Sequence, residues 1–218
     1  MKSMMKIAAA TAIGLFSLPL SAAEHPDTTG WQDLFSADLS NSAAPGKWVF
    51  ADGVIVAKDH ETLWTRDSYS SFILDVEFKV EKESNSGIFL RSSDTSNVLK
   101  ALEVQVHEST DETPFGMVGA IYDCAGPTKS MAKPVGEWNR MTITCKDNLV
   151  TVIFNGEMVI DADLNQWTEA KKNPDGTPNK FAVALKDYAR KGPIGFQGLH
   201  GKAMAPVYYR NLKVKVLD

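Results

Sequence analysis

The chain has 218 residues, of which 44% are hydrophobic and 23% are charged, and its formal net charge at pH 7 is −4. This composition is ordinary for a globular protein, and the length suits a single β-rich domain. The charged residues form no basic block. Nucleic acid and anionic membrane surfaces are therefore not expected as the main partners.

The first 23 residues have the pattern of an export signal. Lys2 and Lys6 form a short basic region, and residues 7–20 are apolar and uncharged. Small residues at positions 21–23 fit signal cleavage before Glu24. The apolar run is short for a membrane span, and no later stretch could cross a bilayer. We therefore expect a periplasmic or secreted protein with one domain over residues 24–218.

The first half of the mature chain predicts short strands separated by turns. Strand patterns cover residues 31–35, 63–65 and 71–80, and a hairpin over 48–56 turns at Asp52-Gly53. Within residues 71–80 every second side chain from Phe72 to Val80 is apolar, and Asp75, Glu77 and Lys79 share the opposite face, which is typical of a half-buried antiparallel strand. Two further strand patterns follow at 85–91 and 102–108.

The second half continues in the same way, with long loops at 109–137 and 161–180. Strands are predicted at 138–145, 149–154 and 157–160, which form a meander, and at 192–197 and 207–217. Residues 181–188 are the one place where a short helix is predicted. The pattern indicates an all-β sandwich of antiparallel strands in which the first and last strands pair.

A polar face runs along the strand at residues 102–108. Glu103, Gln105 and His107 point one way, and the apolar residues between them point the other. Neighbours on this face lie about 7 Å apart, and pairing with the preceding strand could bring Arg91 near Glu103. These groups on a rigid sheet suit a polar ligand. The alternative is a solvated sheet face without a function.

Two residues from loops are further candidates. Residues 119–122 could form a short strand that delivers Tyr122 to a site, although a tyrosine of the core is an equal alternative. His200 lies between glycines in a turn, where it is freer to serve a site than a core histidine. The alternative for His200 is a plain surface position.

Several chemistries are not supported by the sequence. There is no glycine-rich phosphate loop, no paired-histidine metal motif and no serine nucleophile elbow. The strand at 102–108 does not present the carboxylate pair of a two-acid glycosidase. Gln105 stands at the central acid position, and Glu108 points to the opposite face from Glu103. Cys124 and Cys145 allow either a disulfide or two buried free thiols.

Seven segments in order resemble one protein family, the 3-keto-disaccharide hydrolase domain. They cover residues 31–217 and read Asn85-Ser86-Gly87-Ile88-Phe89-Leu90-Arg91, Glu103-Val104-Gln105, Gly119-Ala120-Ile121-Tyr122, Gly136-Glu137-Trp138-Asn139, Asn155-Gly156, Gly192-Pro193-Ile194-Gly195-Phe196-Gln197-Gly198-Leu199-His200-Gly201 and Tyr209-Arg210-Asn211-Leu212. The resemblance implies a concanavalin-like jelly-roll sandwich and action on glycosides whose C3 hydroxyl is oxidised to a ketone. The family usually has Gln-Asp-His-Gly before the last strand, so an acid that could orient His200 is absent here.

The implied substrate class leads to a mechanistic hypothesis. A C3 ketone acidifies the C2 hydrogen, so one base can start an elimination of the C1 leaving group that water addition completes. We expect Glu103 or His200 to be the base and Arg91 or a divalent cation to stabilise the enolate. The residues expected to hold sugar hydroxyls are Gln105, Tyr122, Gln197 and Asn85. The alternatives are a non-catalytic carbohydrate-binding module and a structural or partner-binding sandwich.

Overall fold

The computed structural model describes residues 24–108, 113–202 and 204–217. The export signal expected at residues 1–23 lies outside the described residues, so export and the single domain over 24–218 stay predictions. In the part of the chain that the structure describes, no helix is long and apolar enough to cross a membrane.

The described residues form twelve strands and four single turns of 3-10 helix. The strands are β1 (Gln32–Asp33), β2 (Trp48–Ala51), β3 (Val54–Ala57), β4 (Leu63–Trp64), β5 (Phe72–Val80), β6 (Asn85–Leu90), β7 (Leu102–His107), β8 (Trp138–Lys146), β9 (Leu149–Phe154), β10 (Glu157–Asp163), β11 (Gly195–Phe196) and β12 (Val207–Val216). The 3-10 turns span Val98–Lys100, Pro114–Gly116, Leu164–Gln166 and Leu185–Asp187.

The helix predicted over residues 181–188 is wrong. Only the turn Leu185–Asp187 is helical, and the backbone is extended on both sides of it, at Ala184 and Tyr188. So short a segment cannot offset the cost of helix nucleation by itself. The strand expected at residues 31–35 is also reduced, to the two residues of β1.

The strands form two antiparallel sheets. The large sheet has the order β10-β9-β8-β5-β12-β3-β2, with β1 also paired to β12, and the small sheet has the order β4-β11-β6-β7. The expected pairing of the first and last strands is confirmed, since Gln32 lies opposite Val214. The all-β sandwich predicted from turn spacing is likewise confirmed.

The hydrophobic core lies between the sheets. The apolar face of β5 supplies side chains that are at most 3% exposed, namely Phe72, Leu74, Val76, Phe78 and Val80. The small sheet supplies the opposing layer, with Ile88, Leu90, Val104 and Val106 also buried. Full burial of one such side chain stabilises the fold by about 1.5–3 kcal/mol. The core therefore fixes the small sheet with its other face turned away from the large sheet.

Both cysteines are buried and free. Burial raises the pKa of the Cys145 thiol to about 12 and also raises that of Cys124. The thiolate form is therefore scarce at neutral pH, so neither side chain is suited to nucleophilic chemistry. Of the two alternatives that the sequence allowed, the structure has the buried free thiols.

His25 ties the segment before β1 to the large sheet. The backbone N–H of Gly156 donates to His25 Nε2 at 3.0 Å, which places the ring proton on Nδ1. Nδ1 then donates to Thr142 Oγ1 at 2.8 Å, and that hydroxyl donates to Asp75 Oδ2 at 2.5 Å. Partial burial, aided by the charge of Arg140, lowers the pKa of His25.

We predict that His25 makes the fold less stable in mild acid. The lowered pKa means that the folded protein holds this ring neutral, while the unfolded chain takes up a proton below about pH 6.5. Stability that is present at pH 7 is therefore lost as the pH falls through 6.5. Replacing His25 by Asn keeps a donor for Thr142 but does not titrate.

The measurement is the melting temperature at pH 7 and pH 5. The wild type should lose a few degrees more than His25→Asn over this interval, while a His60→Asn control should follow the wild type. Equal losses in the wild type and His25→Asn would contradict this assignment.

Candidate functional site

The outer face of the small sheet carries the candidate site. Strand pairing places Gly195 between Trp64 and Phe89, and Phe89 lies opposite Glu103 of β7. These four residues form one row across the face, because directly paired residues point to the same side of a sheet. The Trp64 and Phe89 rings stack with centroids 5.6 Å apart and are buried.

The loop after β7 extends this row by one residue. Ile121 pairs with Val104, and the backbone N–H of Tyr122 donates to the carbonyl oxygen of Glu103 at 2.8 Å. Tyr122 therefore lies beside Glu103 on the same face. The short strand expected at residues 119–122 does not form beyond the bridge at Ile121, but this pairing places Tyr122 on the polar face.

Two glycines leave the space that the larger side chains occupy. A Cβ atom on Gly87 would lie 2.3 Å from Glu103 Oε1, so the carboxylate leans across the neighbouring strand. A Cβ atom on Gly195 would lie 2.5 Å from the Trp64 ring. Glycine inside a strand often marks such a close approach. Here the two glycines fix where the acid and the indole lie.

Glu103 is a buried acid in contact with a lysine. Its side chain is among the buried polar groups, at 8% residue exposure, and Lys180 Nζ lies 3.3 Å from Oε2. Burial raises the pKa of Glu103, while the charges of Lys180 and His200 act in the opposite direction. The net shift is upward, which favours a group that can exchange a proton.

Lys180 was not predicted from the sequence. Its backbone N–H donates to Asp123 Oδ2 at 2.5 Å, and its ammonium lies 4.0 Å from the centroid of the Tyr122 ring. The ammonium therefore contacts both a carboxylate and an aromatic face. No sequence pattern pointed to Lys180, because it lies in a polar loop without hydrophobic periodicity.

A buried asparagine network holds the loop that carries Lys180. Asn173, at 3% exposure, accepts from the Trp167 indole and the Asn179 amide at 2.9 Å each. Its own amide donates to the carbonyl oxygen of Asp123 at 3.1 Å. Buried polar groups with all partners satisfied specify one arrangement. The network thus fixes the Lys180 loop to the Asp123 loop.

Several predicted residues lie together around a small cavity. Its volume is about 120 Å³, and its lining residues are Asn85, Gln105, His107, Thr113, Phe115, Gly116, Tyr122 and Asp123. His200 is exposed in the turn next to Asn85, since a Cβ on Gly201 would lie 3.5 Å from Asn85 Cβ. Gln197 pairs with Gly87 through its backbone, and its Oε1 is buried without a hydrogen-bond partner among the described residues.

The expected proximity of Arg91 to Glu103 is wrong. Arg91 has a positive φ of 51° immediately after β6, which turns its side chain off the polar face. Its guanidinium donates to the carbonyl oxygen of Asp147 at 2.6 Å and lies over the Phe72 ring. Arg91 is 2% exposed, so it is buried away from the site. Lys180 is the cation next to Glu103 instead.

Glu108 does not join the site either. Its carboxylate accepts from the backbone N–H of Glu83. This agrees with the expectation that Glu108 does not share the face of Glu103. Within the described ranges, no group of three His, Cys, Asp or Glu side chains is placed to hold a metal ion. The divalent cation allowed by the sequence stays a prediction.

Comparison with solved structures defines the class of protein. The fold is a concanavalin-like jelly roll. A solved structure of a candidate glycosyl hydrolase from Parabacteroides distasonis aligns with a TM-score of 0.81 and 34% identity, over 86% of this chain and 99% of that one. A carbohydrate-binding module from Bacillus subtilis shares the fold alone, with a TM-score of 0.51 and 10% identity over 83% of this chain and 99% of the module.

The family follows from the sequence comparison. The 3-keto-alpha-glucoside-1,2-lyase-like domain matches residues 26–215, and the chain belongs to this family. A curated relative, the 3-keto-disaccharide hydrolase of Bacteroides thetaiotaomicron, is 28% identical over an alignment 235 positions long including gaps, which covers 88% of this chain and 80% of the relative. The resemblance drawn from the order of motifs is therefore confirmed.

We predict that Lys180 limits how far burial raises the pKa of Glu103. In Lys180→Met the opposing positive charge is lost, so the pKa of Glu103 should rise further. The measurement is an NMR titration of protein with ¹³C-labelled glutamate carboxyl groups, with Glu103→Gln used for assignment. The matched control is Lys172→Met, which removes an exposed pair with Glu169 and should leave the Glu103 titration unchanged. An unshifted Glu103 signal in Lys180→Met would show that the pair is not formed.

Proposed function

We propose that this chain cleaves the glycosidic bond of 3-keto-glycosides by elimination followed by hydration. The observation that carries the proposal is the buried Glu103 carboxylate, which has a raised pKa and a lysine 3.3 Å away on a rigid sheet face. One base beside one fixed cation is what proton removal next to a ketone requires.

The proposed reaction begins at C2 of the keto sugar. The base removes the C2 proton, and the electron pair of that C–H bond forms the enolate of the C3 ketone. The enolate collapses, a C1–C2 double bond forms, and the C1 oxygen substituent leaves and takes up a proton. Water then adds to C1 while C2 regains a proton. The products are the free alcohol and a 3-keto sugar, so the net change is hydrolysis.

Glu103 is assigned as the base and Lys180 as the group that stabilises the enolate. As the proton moves to Glu103, negative charge moves from this carboxylate to the C3 oxygen of the substrate. The ammonium of Lys180 can remain in contact with that charge throughout, which lowers the barrier without a change of partner. Lys180 thus takes the role of enolate stabilisation that was expected for Arg91 from the sequence, because Arg91 is buried away from Glu103.

The remaining site residues are assigned to binding and proton delivery. Asn85, Gln105 and Tyr122 line the small cavity and are suited to sugar hydroxyls. Gln197 offers a buried acceptor without a partner among the described groups. His200 is close enough to Glu103 for its charge to affect that acid, so it is a candidate to protonate the leaving group.

The comparisons support the substrate class. The family is described by action on a 3-keto-alpha-glucoside, and the relative from Bacteroides thetaiotaomicron is named for 3-keto-disaccharides. Buried tryptophans at positions 48, 64 and 167 argue against the exposed aromatic platform of a sugar-binding module. Periplasmic or secreted action is proposed with this function, on the basis of residues 1–23.

The deciding experiment incubates the mature protein with a 3-keto-glucoside that carries a chromogenic leaving group. The unoxidised glucoside serves as the control, and both are tested with and without a chelator. Release from the keto sugar alone is expected, and loss of release with chelator would assign a divalent cation. No release from either substrate, with saturable binding to a glycan, would favour the binding module.

We predict that Glu103→Gln lowers turnover of the keto substrate by about 10²–10⁴-fold, the usual contribution of a general base. The amide fills the same space but accepts no proton, so the melting temperature should change little. Glu108→Gln is the control, because this acid lies off the site, and it should keep wild-type turnover. Full activity in Glu103→Gln would remove the acid from the mechanism.

A further inference from the structure

A second and larger cavity lies next to the candidate site. We call it the Leu99 groove, and its volume is about 420 Å³. It runs between two loops, and the lining residues that matter here are Leu99, Lys180, Ala182, Val183, Tyr188 and Ala189. Pockets of this size accommodate small organic ligands. The groove is thus more than three times the volume of the polar cavity beside Glu103.

The exposed wall of the Leu99 groove is mostly apolar, with polar side chains such as Asn97 and Asp187 in its lining, whereas the wall of the other cavity is mostly polar. Leu99 is 42% exposed and Val183 is 39% exposed, although both are large hydrophobic side chains. Ala182 and Ala189 add further apolar wall. Exposed apolar side chains that line one concave surface point to a ligand with an apolar part.

Tyr188 gives the groove a fixed aromatic wall. Its hydroxyl donates to the carbonyl oxygen of Leu99 at 2.7 Å, which joins the two loops. Its ring packs at 87° against Phe181, with centroids 5.5 Å apart. The ring is therefore held by contacts at both ends. A fixed aromatic side chain favours another ring as its partner.

Lys180 connects the groove to the candidate site. This residue lines the groove, and its ammonium contacts Glu103 and the Tyr122 ring. A substrate whose sugar occupies the polar cavity would therefore direct its C1 substituent past Lys180. The Leu99 groove is therefore a large cavity whose wall includes the lysine of this ion pair.

We propose that the Leu99 groove is the leaving-group subsite and that it favours 3-keto-glycosides of aromatic alcohols over 3-keto-disaccharides. The proposal rests on the proposed function, because it assigns the position of the group that the elimination expels. A second sugar would place hydroxyls against the side chains of Leu99 and Val183, which offer no hydrogen bonds. An aromatic alcohol would bury apolar surface against the same side chains.

The test compares two 3-keto-glucosides, one with 4-nitrophenol and one with glucose as the leaving group. In Val183→Asn and Leu99→Asn, the ratio of kcat/KM for the aryl over the disaccharide substrate should fall about tenfold. Both side chains are exposed, so these substitutions leave the core intact. Comparing the kcat/KM ratio of each variant with that of the wild type removes the intrinsic difference in reactivity between the two leaving groups. The control is Val135→Asn, a valine of similar exposure at 46% outside the groove, which should keep the wild-type ratio.

A binding measurement separates this proposal from the proposed function. Calorimetry with unoxidised 4-nitrophenyl glucoside should give a Kd that rises about tenfold in Val183→Asn and Leu99→Asn and not in Val135→Asn. If the keto substrates are turned over but the groove variants keep the wild-type kcat/KM ratio and the wild-type Kd, the groove assignment is wrong and the proposed function stands. No release from either keto substrate would overturn the proposed function, and the leaving-group role with it, whatever the Kd shows.

Discussion

The ion pair between Glu103 and Lys180 is the interaction on which the candidate site depends. Burial alone would drive a carboxylate toward its neutral form, because an ion loses its hydration in an apolar surrounding. The lysine opposes that shift and keeps the acid in a state that can still accept a proton. The two residues come from different parts of the fold, so the site exists only where sheet and loop are held together. Gly87 on one side and the Asn173 network on the other provide this constraint.

The sandwich explains why the two partners differ in how they are fixed. Glu103 lies on β7, whose apolar face is buried in the core, so its position follows from packing between the sheets. Lys180 lies in a loop, and loops keep one conformation only where their polar groups find partners. Asn173, Asn179 and Asp123 supply those partners through side-chain hydrogen bonds. The stability of the site is therefore more polar in origin than the stability of the fold.

This difference also decides what the sequence could predict. Alternation in β5 and β7 identified the core and polar faces correctly, since strand periodicity is a local property of the chain. The position of Arg91 was missed because one residue with a positive φ ends the alternation, and nothing in the flanking pattern marks it. Lys180 was missed because its contact with Glu103 joins residues 77 positions apart through a loop without periodicity. Contacts of that kind depend on tertiary packing that no local pattern encodes.

The segment before His200 bears on which chemistry this site can support. The family resemblance led us to expect an acid where Leu199 stands, and Leu199 packs partly buried against the core while its N–H donates to the carbonyl oxygen of Asp59. No carboxylate from this position can therefore assist His200. Glu103 is left as the one buried acid on the small sheet among the described residues. Hydrolysis through two carboxylates needs a second acid placed about 5–9.5 Å away. The other carboxylate in the lining of the polar cavity, Asp123, accepts from the backbone N–H of Lys180 and so serves to hold that loop. Elimination next to a ketone needs one base and one positive group. Glu103 and Lys180 supply the base and the positive group. In the reaction proposed for this chain, the C3 ketone therefore activates the substrate, and a second acid is not needed.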